Sequence, residues 1–250
     1  MPEPAERTLQ PVQGSAAPHR GFSLTPDLIA AVLRQARPLG HNEEPASLNL
    51  GFGFVYYGLV RALRPRHVVV IGSGFGFSVV CLALGLADNG RGRLTFVDPS
   101  YSVFSDGPFR TVGGTNQWAD PQKVRADFRR FGVEDIVTHH RMRSDEFFVD
   151  YRQRSLPRID LAFIDRSHAF DDVKHDFVAC ARYGGANAYL LLHDTNILLR
   201  EIVRHAGVRR WLNRVKRTSN AFEIVDFPLS SGVAIVRVLA NDAWKALTPT

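Results

Sequence analysis

Cysteine is scarce in this sequence, with 2 residues among 250. Cys81 and Cys180 lie far apart, and neither belongs to a C-x-x-C pair of the kind that binds zinc or forms a redox motif. Both are flanked by apolar, helix-forming residues, which favours buried free thiols over a disulfide bond. Because free thiols persist in reducing compartments, we expect a cytoplasmic protein.

Long apolar runs are also missing. No uninterrupted apolar stretch reaches the ~18 residues that a transmembrane helix requires, so no membrane partner is expected. The first residues include Glu3 and Glu6 and lack the apolar core of a secretory signal. The hydrophobic share of 45% is nevertheless ordinary for a globular chain, and it excludes wholesale disorder.

Acidic side chains are outnumbered, because 25 Asp and Glu residues stand against 31 Lys and Arg residues, for a formal net charge of +6. Such an excess can indicate a polyanionic partner, since clustered Lys and Arg neutralise phosphates. The densest basic cluster, residues 200–217, is interleaved with apolar residues at helical spacing, which is typical of a solvated helix face. The sequence also lacks an N-P-P-Y-like motif, which disfavours a nucleic-acid partner.

The order of composition along the chain predicts one domain behind a disordered tail. Residues 1–22 contain proline and glycine without apolar periodicity, which is typical of disorder. Residues 23–250 are predicted to form a single domain. Its first part, 23–65, is predicted as a helical lid. The first helix of this part is predicted to begin at Thr25-Pro26-Asp27, which is a helix-capping sequence.

Strand and helix signals then alternate, which predicts an α/β fold of three layers with a mostly parallel sheet. The predicted strands are 67–71, 94–97, 136–140, 161–164 and 189–192, and the predicted helices are 77–87, 121–131, 170–182 and 197–216. Two final strands, 222–226 and 233–237, have no helix between them and predict an antiparallel hairpin. Residues 99–119, rich in Ser, Gly, Pro and Thr, are predicted as an insertion loop that serves as a lid or binding loop.

A glycine-rich turn follows the first predicted strand. Gly72, Gly74 and Gly76 are spaced G-x-G-x-G, which permits a tight turn and a close approach of a ligand to the backbone. Dinucleotide sites use G-x-G-x-x-G instead, so a pyrophosphate is disfavoured. Asp98 ends the next strand and could accept hydrogen bonds from ribose hydroxyls. Together these residues predict a nucleoside site.

Two further carboxylates follow strands that we predict to be neighbours. Asp165 ends the strand 161–164, and Asp194 ends the strand 189–192. Because parallel strands bind ligands at their carboxyl ends, the pair is expected to hold Mg²⁺ there. His193 could add a nitrogen ligand and widen the choice to Mn²⁺ or Fe²⁺. The alternative is that both aspartates only cap helices.

The glycine turn, Asp98, residues 163–168, the triplet His193-Asp194-Thr195 and the final hairpin together resemble class I S-adenosylmethionine-dependent methyltransferases. Within this class the sequence is similar to small-molecule O-methyltransferases of the antibiotic-tailoring type, over roughly residues 45–240. The resemblance implies a Rossmann-like methyltransferase fold. It also implies methyl transfer from S-adenosylmethionine to a hydroxyl of a small, natural-product-like molecule, with or without help from a divalent metal.

Site residues are implied by the same resemblance. Cofactor contacts are implied for Gly72, Ser73, Gly74, Gly76, Ser78, Asp98, Ser144 and Asp165. Metal ligation is implied for Asp165, His193 and Asp194, and a catalytic role for Asp165, His168 and His193. The sequence differs from the family pattern at Val70, where the family has an acid, and at Arg166 and Ser167, which replace a glycine and an acid.

Three other functions stay open at this point. A nucleic-acid methyltransferase would use the basic helix, and a nicotinamide-dependent oxidoreductase would share the strand–turn–helix start. A non-catalytic nucleoside-binding protein on the same scaffold would retain Asp98 but need no base. If no metal binds, His168 or His193 is the expected general base, because imidazole titrates near neutral pH. A homo-oligomer is compatible with the sequence.

Overall fold

The structure of the chain is a computed structural model. It describes residues 22–248, except for 101–103, 107–108, 112–115, 167, 198–206, 219 and the side chains of 104–106 and 109–111. The predicted tail therefore lies outside the described residues apart from Phe22, and so does part of the predicted insertion loop. Among the described residues, no helix has the length and apolar character needed to cross a membrane.

Seven helices and nine strands are described, besides short 3₁₀ turns at Pro45–Ser47 and Ala243–Leu247. The helices are α1 (Pro26–Gln35), α2 (Phe52–Leu63), α3 (Phe77–Asn89), α4 (Pro121–Arg129), α5 (Ser144–Val149), α6 (Phe170–Gly184) and α7 (Val208–Lys216). The strands are β1 (His67–Ile71), β2 (Arg93–Val97), β3 (Phe104–Asp106), β4 (Phe109–Thr111), β5 (Val137–His140), β6 (Leu161–Ile164), β7 (Tyr189–His193), β8 (Phe222–Phe227) and β9 (Val233–Val238).

The main sheet has seven strands in the order β5-β2-β1-β6-β7-β9-β8. All neighbouring pairs are parallel except β7–β9 and β8–β9, which are antiparallel. The predicted fold class is confirmed, including the terminal hairpin. Strand order reverses beside β1, because β2 and β5 lie on one side of it and β6 and β7 on the other. Ligands bind open α/β sheets at the carboxyl edge of such a reversal.

Two apolar layers cover the faces of this sheet. Val68 and Val70 of β1 pack into the layer that contains α2 and α3, whereas Val69 and Ile71 pack into the layer that contains α6 and α7. All five β1 residues are buried, as a doubly covered parallel strand requires. Cys81 and Cys180 lie in opposite layers, buried and free, which confirms the prediction of free thiols.

The predicted helix 197–216 is described only in part. Its second part is confirmed as α7, whereas Ile197 and Gly207 are not helical, and the prediction for 198–206 lies outside the described residues. Gly207 packs closely against α6, because an added Cβ there would lie 2.1 Å from Cα of Phe170. The apolar side of α7 is buried as expected, with its basic residues directed outward.

Two small elements were not predicted. Helix α5 is short and begins with polar residues, and it is held by a hydrogen bond from the Arg143 N–H to the Glu146 carboxylate at 3.4 Å. Strands β3 and β4 pair antiparallel inside the predicted insertion loop. The other strands of the sheet and the helices between them end within two residues of their predicted bounds.

Candidate active site

The glycine turn after β1 uses its three glycines for different purposes. All three have positive φ angles, of +71° at Gly72, +43° at Gly74 and +96° at Gly76. A Cβ at Gly72 would lie 2.5 Å from the carbonyl oxygen of Asp165, and one at Gly76 would lie 2.8 Å from the ring of Trp118. Among the residues that the structure describes, nothing lies within 4 Å of a Cβ at Gly74. Gly74 is therefore the glycine of this turn with room beside its backbone for a ligand.

Two serines of the turn point inward. The hydroxyls of Ser73 and Ser78 are buried and lie 2.6 Å apart, so they bond to each other. The indole N–H of Trp118 donates to the Gly74 carbonyl at 3.0 Å, which fixes the turn from its outer side. Cofactor contacts of the two serine side chains stay a prediction.

Asp98 lies at the carboxyl end of β2, beside the turn. Its carboxylate accepts hydrogen bonds from the backbone N–H of Ser100, at 2.7 Å, and from that of Ser73. Burial raises the pKa of Asp98 to about 6, and the charge of Asp165 adds to this, while the two hydrogen bonds and Arg166 oppose it. The carboxylate is ionised at pH 7 and keeps spare acceptor capacity for ribose hydroxyls.

Ser144 is fully buried at the start of α5. Its hydroxyl donates to the Asp176 carboxylate at 2.5 Å and accepts from the Arg166 guanidinium. Burial raises the pKa of Asp176 to about 7, against the opposing effects of Arg166 and Ser144. Arg166 thus points its guanidinium toward Asp176 and Asp172. The expected contact between Ser144 and the adenine of a cofactor stays a prediction.

Asp165, His168, His193 and Asp194 come together at the carboxyl ends of β6 and β7, and we call them the acid–histidine cluster. His168 Nε2 lies 2.5 Å from Asp194 Oδ2 and 3.9 Å from Asp165 Oδ1. His193 Nδ1 lies 3.2 Å from Asp165 Oδ1 and 3.3 Å from Asp194 Oδ1. The pairing of β6 with β7 brings the two carboxylates together, as expected.

The charges of the cluster shift one another's pKa values, and the backbone of Asp194 has an unusual conformation. Burial disfavours the His193 cation, but Asp165 and Asp194 outweigh burial and raise the pKa of His193 to about 9. Burial likewise raises the pKa of Asp194, but His193 and His168 lower it well below its usual range. Asp194 also has a φ angle of +62°, which is rare outside glycine and frequent at functional sites.

Several residues around His193 were missed by the sequence analysis. His41 stacks on the His193 ring with a centroid distance of 4.1 Å, and its Nδ1 lies 3.0 Å from the Tyr56 hydroxyl. Ser231 Oγ lies 3.0 Å from His193 Nε2 and donates to the Gly40 carbonyl at 2.6 Å. No local motif marks these residues, because they come from the lid and from the loop between β8 and β9.

The donor atoms of the cluster fit a divalent ion. Asp165, His168 and Asp194 each offer one ligand atom, and these atoms lie within 4.8 Å of one another. Two carboxylates with one imidazole suit Mg²⁺, Mn²⁺ or Fe²⁺. His41, Asp165 and His193 satisfy the same distance limit, but both ring nitrogens of His193 already face protein acceptors. Metal ligation by His193 stays a prediction.

A family model described as a methyltransferase domain matches residues 69–195. The chain belongs to this methyltransferase family. The matched residues of this methyltransferase include the glycine turn, Asp98 and the whole acid–histidine cluster. The lid and the terminal hairpin lie outside the match. The predicted family and the predicted class of enzyme, a methyl-transferring one, are confirmed.

Solved structures confirm the fold. The O-methyltransferase TomG from Streptomyces achromogenes, involved in tomaymycin synthesis and solved with S-adenosylmethionine, is similar with a TM-score of 0.61 and 15% identity, over 86% of this chain and 89% of that one. An O-methyltransferase from Bacillus cereus in complex with S-adenosylhomocysteine has a TM-score of 0.60 and 15% identity, over 85% and 90%. No curated protein matches the sequence significantly.

Proposed function

We propose that this methyltransferase transfers the methyl group of S-adenosylmethionine to a hydroxyl oxygen of a small, natural-product-like molecule. The observation that carries the proposal is the position of the acid–histidine cluster. It lies beside the glycine turn and Asp98, where we propose that the nucleoside part of the methyl donor binds, so groups that can activate a hydroxyl would face the donor. The O-methyltransferases of similar fold, solved with S-adenosylmethionine or S-adenosylhomocysteine, support the choice of donor and acceptor.

The reaction is a displacement at the methyl carbon. The acceptor oxygen forms a bond to this carbon while the carbon–sulfur bond breaks, and the sulfur keeps the electron pair to give S-adenosylhomocysteine. The protein must align the two reactants and take the hydroxyl proton. Asp98 and Gly74 would hold the donor, and His168, whose Nε2 lies 2.5 Å from Asp194 Oδ2, would take the proton on Nδ1.

We further propose a divalent ion held by Asp165, His168 and Asp194. When bound, such an ion lowers the pKa of a coordinated hydroxyl. This role and proton removal by His168 alone are alternatives, because a histidine that binds metal cannot also accept the proton. The short contact between His168 and Asp194 favours the histidine base as the second candidate.

Chelation distinguishes the two candidates. If the divalent ion is required, methyl transfer should be lost in chelator and restored by Mg²⁺, Mn²⁺ or Fe²⁺. In that case Asp165→Asn should show no stimulation by metal. Full activity in chelator, together with complete loss in His168→Ala, would assign the base to His168. Asp242→Asn is a matched control, because this exposed aspartate lies outside the site.

Ligand titration tests the donor. S-adenosylmethionine and S-adenosylhomocysteine should bind with micromolar Kd, and at 100 times Kd a ligand stabilises the native state by about 2.7 kcal/mol. The protein should therefore melt at a higher temperature with either ligand and be unchanged by NAD. A shift with NAD alone would contradict the proposal, and binding without turnover on any hydroxylated acceptor would favour a nucleoside-binding protein.

The proposal includes the kind of partner and the location of the enzyme. The outward-facing basic residues of α7 are explained as a solvated helix face, so we propose a small-molecule acceptor and no nucleic-acid partner. The two buried free thiols support a cytoplasmic location.

A further inference from the structure

We propose that Ser231 and the Gly40 carbonyl position His193, which in turn aligns the two carboxylates of the active site. The inference rests on the proposed function and deepens it. It gives His193 a positioning role. It also assigns a functional role to the lid and to the β8–β9 loop, which lie outside the residues that the family model matches.

The Ser231 hydroxyl lies among three groups. Its oxygen lies 2.6 Å from the Gly40 carbonyl oxygen and 3.0 Å from His193 Nε2, and the hydroxyl also bonds to the Asp194 side chain. His193 Nε2 itself lies 3.4 Å from the Gly40 carbonyl oxygen. On the other side of the ring, Nδ1 lies 3.2 Å from Asp165 Oδ1 and 3.3 Å from Asp194 Oδ1. The His193 ring therefore connects Ser231 and Gly40 at one end with the two carboxylates at the other.

Packing leaves the His193 ring little freedom to rotate. The side chain is 3% exposed, and the ring of His41 covers one face at a centroid distance of 4.1 Å. A hydrogen bond at each end of the ring fixes its tilt. The two carboxylates that contact Nδ1 are consequently held beside a ring of fixed orientation. We infer that this alignment is what His193 contributes.

The two loops fit each other closely at this point. Gly40 has a φ angle of +77°, and an added Cβ would lie 2.8 Å from Ser231 Oγ, so a larger residue at this position would displace the hydroxyl. The Asn196 N–H donates to the Ser231 carbonyl at 2.7 Å, and the Thr195 N–H donates to the Gly232 carbonyl at 3.3 Å. The β8–β9 loop is therefore tied to the turn that carries Asp194.

The test compares Ser231→Ala and Ser231→Thr with the control Ser230→Ala, an exposed serine of the same loop. Turnover is followed with a panel of phenols and catechols as acceptor probes. Ser231→Ala should lower kcat about ten-fold, the size expected for one hydrogen bond to a charged group, while the Kd of S-adenosylmethionine stays within two-fold. Ser231→Thr should restore most of kcat, because its hydroxyl can make the same bonds.

A second readout does not depend on turnover. In spectra of protein labelled with ¹⁵N in the histidine rings, Ser231→Ala should move the His193 Nε2 signal more than the Nδ1 signal, and Ser230→Ala should leave both in place. Unchanged ring signals in Ser231→Ala would overturn the inference. Altered ring signals in Ser231→Ala together with a kcat equal to that of Ser230→Ala would also overturn the inference. A loss of kcat that is matched by a loss of cofactor binding would do the same. A wild-type protein without methyl transfer overturns the proposed function instead, while the ring spectra still decide the Ser231 contact.

Discussion

At the scale of single residues, glycines of one motif have separable roles. Gly72 allows β1 and the end of β6 to approach, whereas the space outside Gly74 is open. A motif match alone does not make this distinction, because G-x-G-x-G records positions and not neighbours. We therefore expect a substitution at Gly72 to lower mainly the stability of the fold, and a substitution at Gly74 to weaken mainly the binding of the cofactor.

Gly72→Ala and Gly74→Ala test this separation. Gly72→Ala should lower the free energy of unfolding by more than about 2 kcal/mol, because the new methyl group meets the Asp165 carbonyl in addition to the strain of a positive φ. Gly74→Ala should cost only about 1–2 kcal/mol but weaken cofactor binding. Urea unfolding and ligand titration measure the two effects. Equal losses of stability with unchanged binding would contradict the assignment.

Asp98 should make cofactor binding depend on pH. Because its pKa is about 6, the carboxylate becomes protonated below this pH. A protonated carboxyl group accepts hydrogen bonds from ribose hydroxyls less well than a carboxylate does. The Kd of S-adenosylhomocysteine should therefore rise as the pH falls from 7 to 5. Asp98→Asn should bind about ten-fold more weakly at pH 7.5 and show a flatter pH profile. Calorimetric titration measures Kd across this pH range. Identical pH profiles of Kd for wild type and Asp98→Asn would contradict the assignment.

The sequence was informative about residues that end strands. Asp98, Asp165 and Asp194 could be placed at one edge because strand ends are readable from apolar runs, and parallel strands share their carboxyl edge. Gly40, His41 and Ser231 could not be placed there. They reach the cluster through the packing of distant loops, and no local pattern encodes such packing.

At the scale of elements, α5 and α6 are joined by a buried polar contact. Ser144 begins α5, and its hydroxyl bonds to Asp176 of α6, whose side chain is 1% exposed. Arg166 reaches the same pair from the loop after β6. We expect this contact to make the free energy of unfolding depend on pH.

Asp176→Asn should remove a pH dependence of stability. Burial raises the pKa of Asp176 in the folded chain to about 7, above about 3.9 in the unfolded chain. The unfolded state therefore loses its proton first, and stability from this group is lost as the pH rises from 4 to 7. The variant should show a smaller fall in the free energy of unfolding between these pH values than wild type. Asp242→Asn is the exposed control, and equal slopes for all three proteins would contradict the assignment.

Elements with strong periodicity were predictable, and the others were not. Strands β1, β6 and β7 are apolar on both faces, so their runs of Val, Ile and Leu stand out. Helix α5 and the β3–β4 pair are too short to show a period. The predicted helix 197–216 is interrupted at Gly207, where the backbone contacts Phe170, and such a tertiary contact leaves no mark in the local sequence.

At the scale of the whole molecule, the site is assembled from three parts of the chain. The family-matched region supplies the glycine turn, Asp98 and the acid–histidine cluster. The lid supplies Gly40 and His41, and the terminal hairpin supplies Ser231. The fold is shared with O-methyltransferases at 15% identity, so it tolerates extensive change in sequence. We expect specificity for the acceptor to come from the two parts outside the family-matched region, the predicted lid and the hairpin.

In the proposed reaction, the acid–histidine cluster activates a hydroxyl for methylation by S-adenosylmethionine. The most direct measurement is transfer of a labelled methyl group from S-adenosylmethionine to a panel of phenols and catechols, read by mass spectrometry for wild type and Asp194→Asn. We predict a methyl ether with the wild type. With Asp194→Asn we predict a rate at least about a hundred-fold lower, because Asp194 both orients His168 and completes the carboxylate pair. Equal rates for the two proteins would contradict the account.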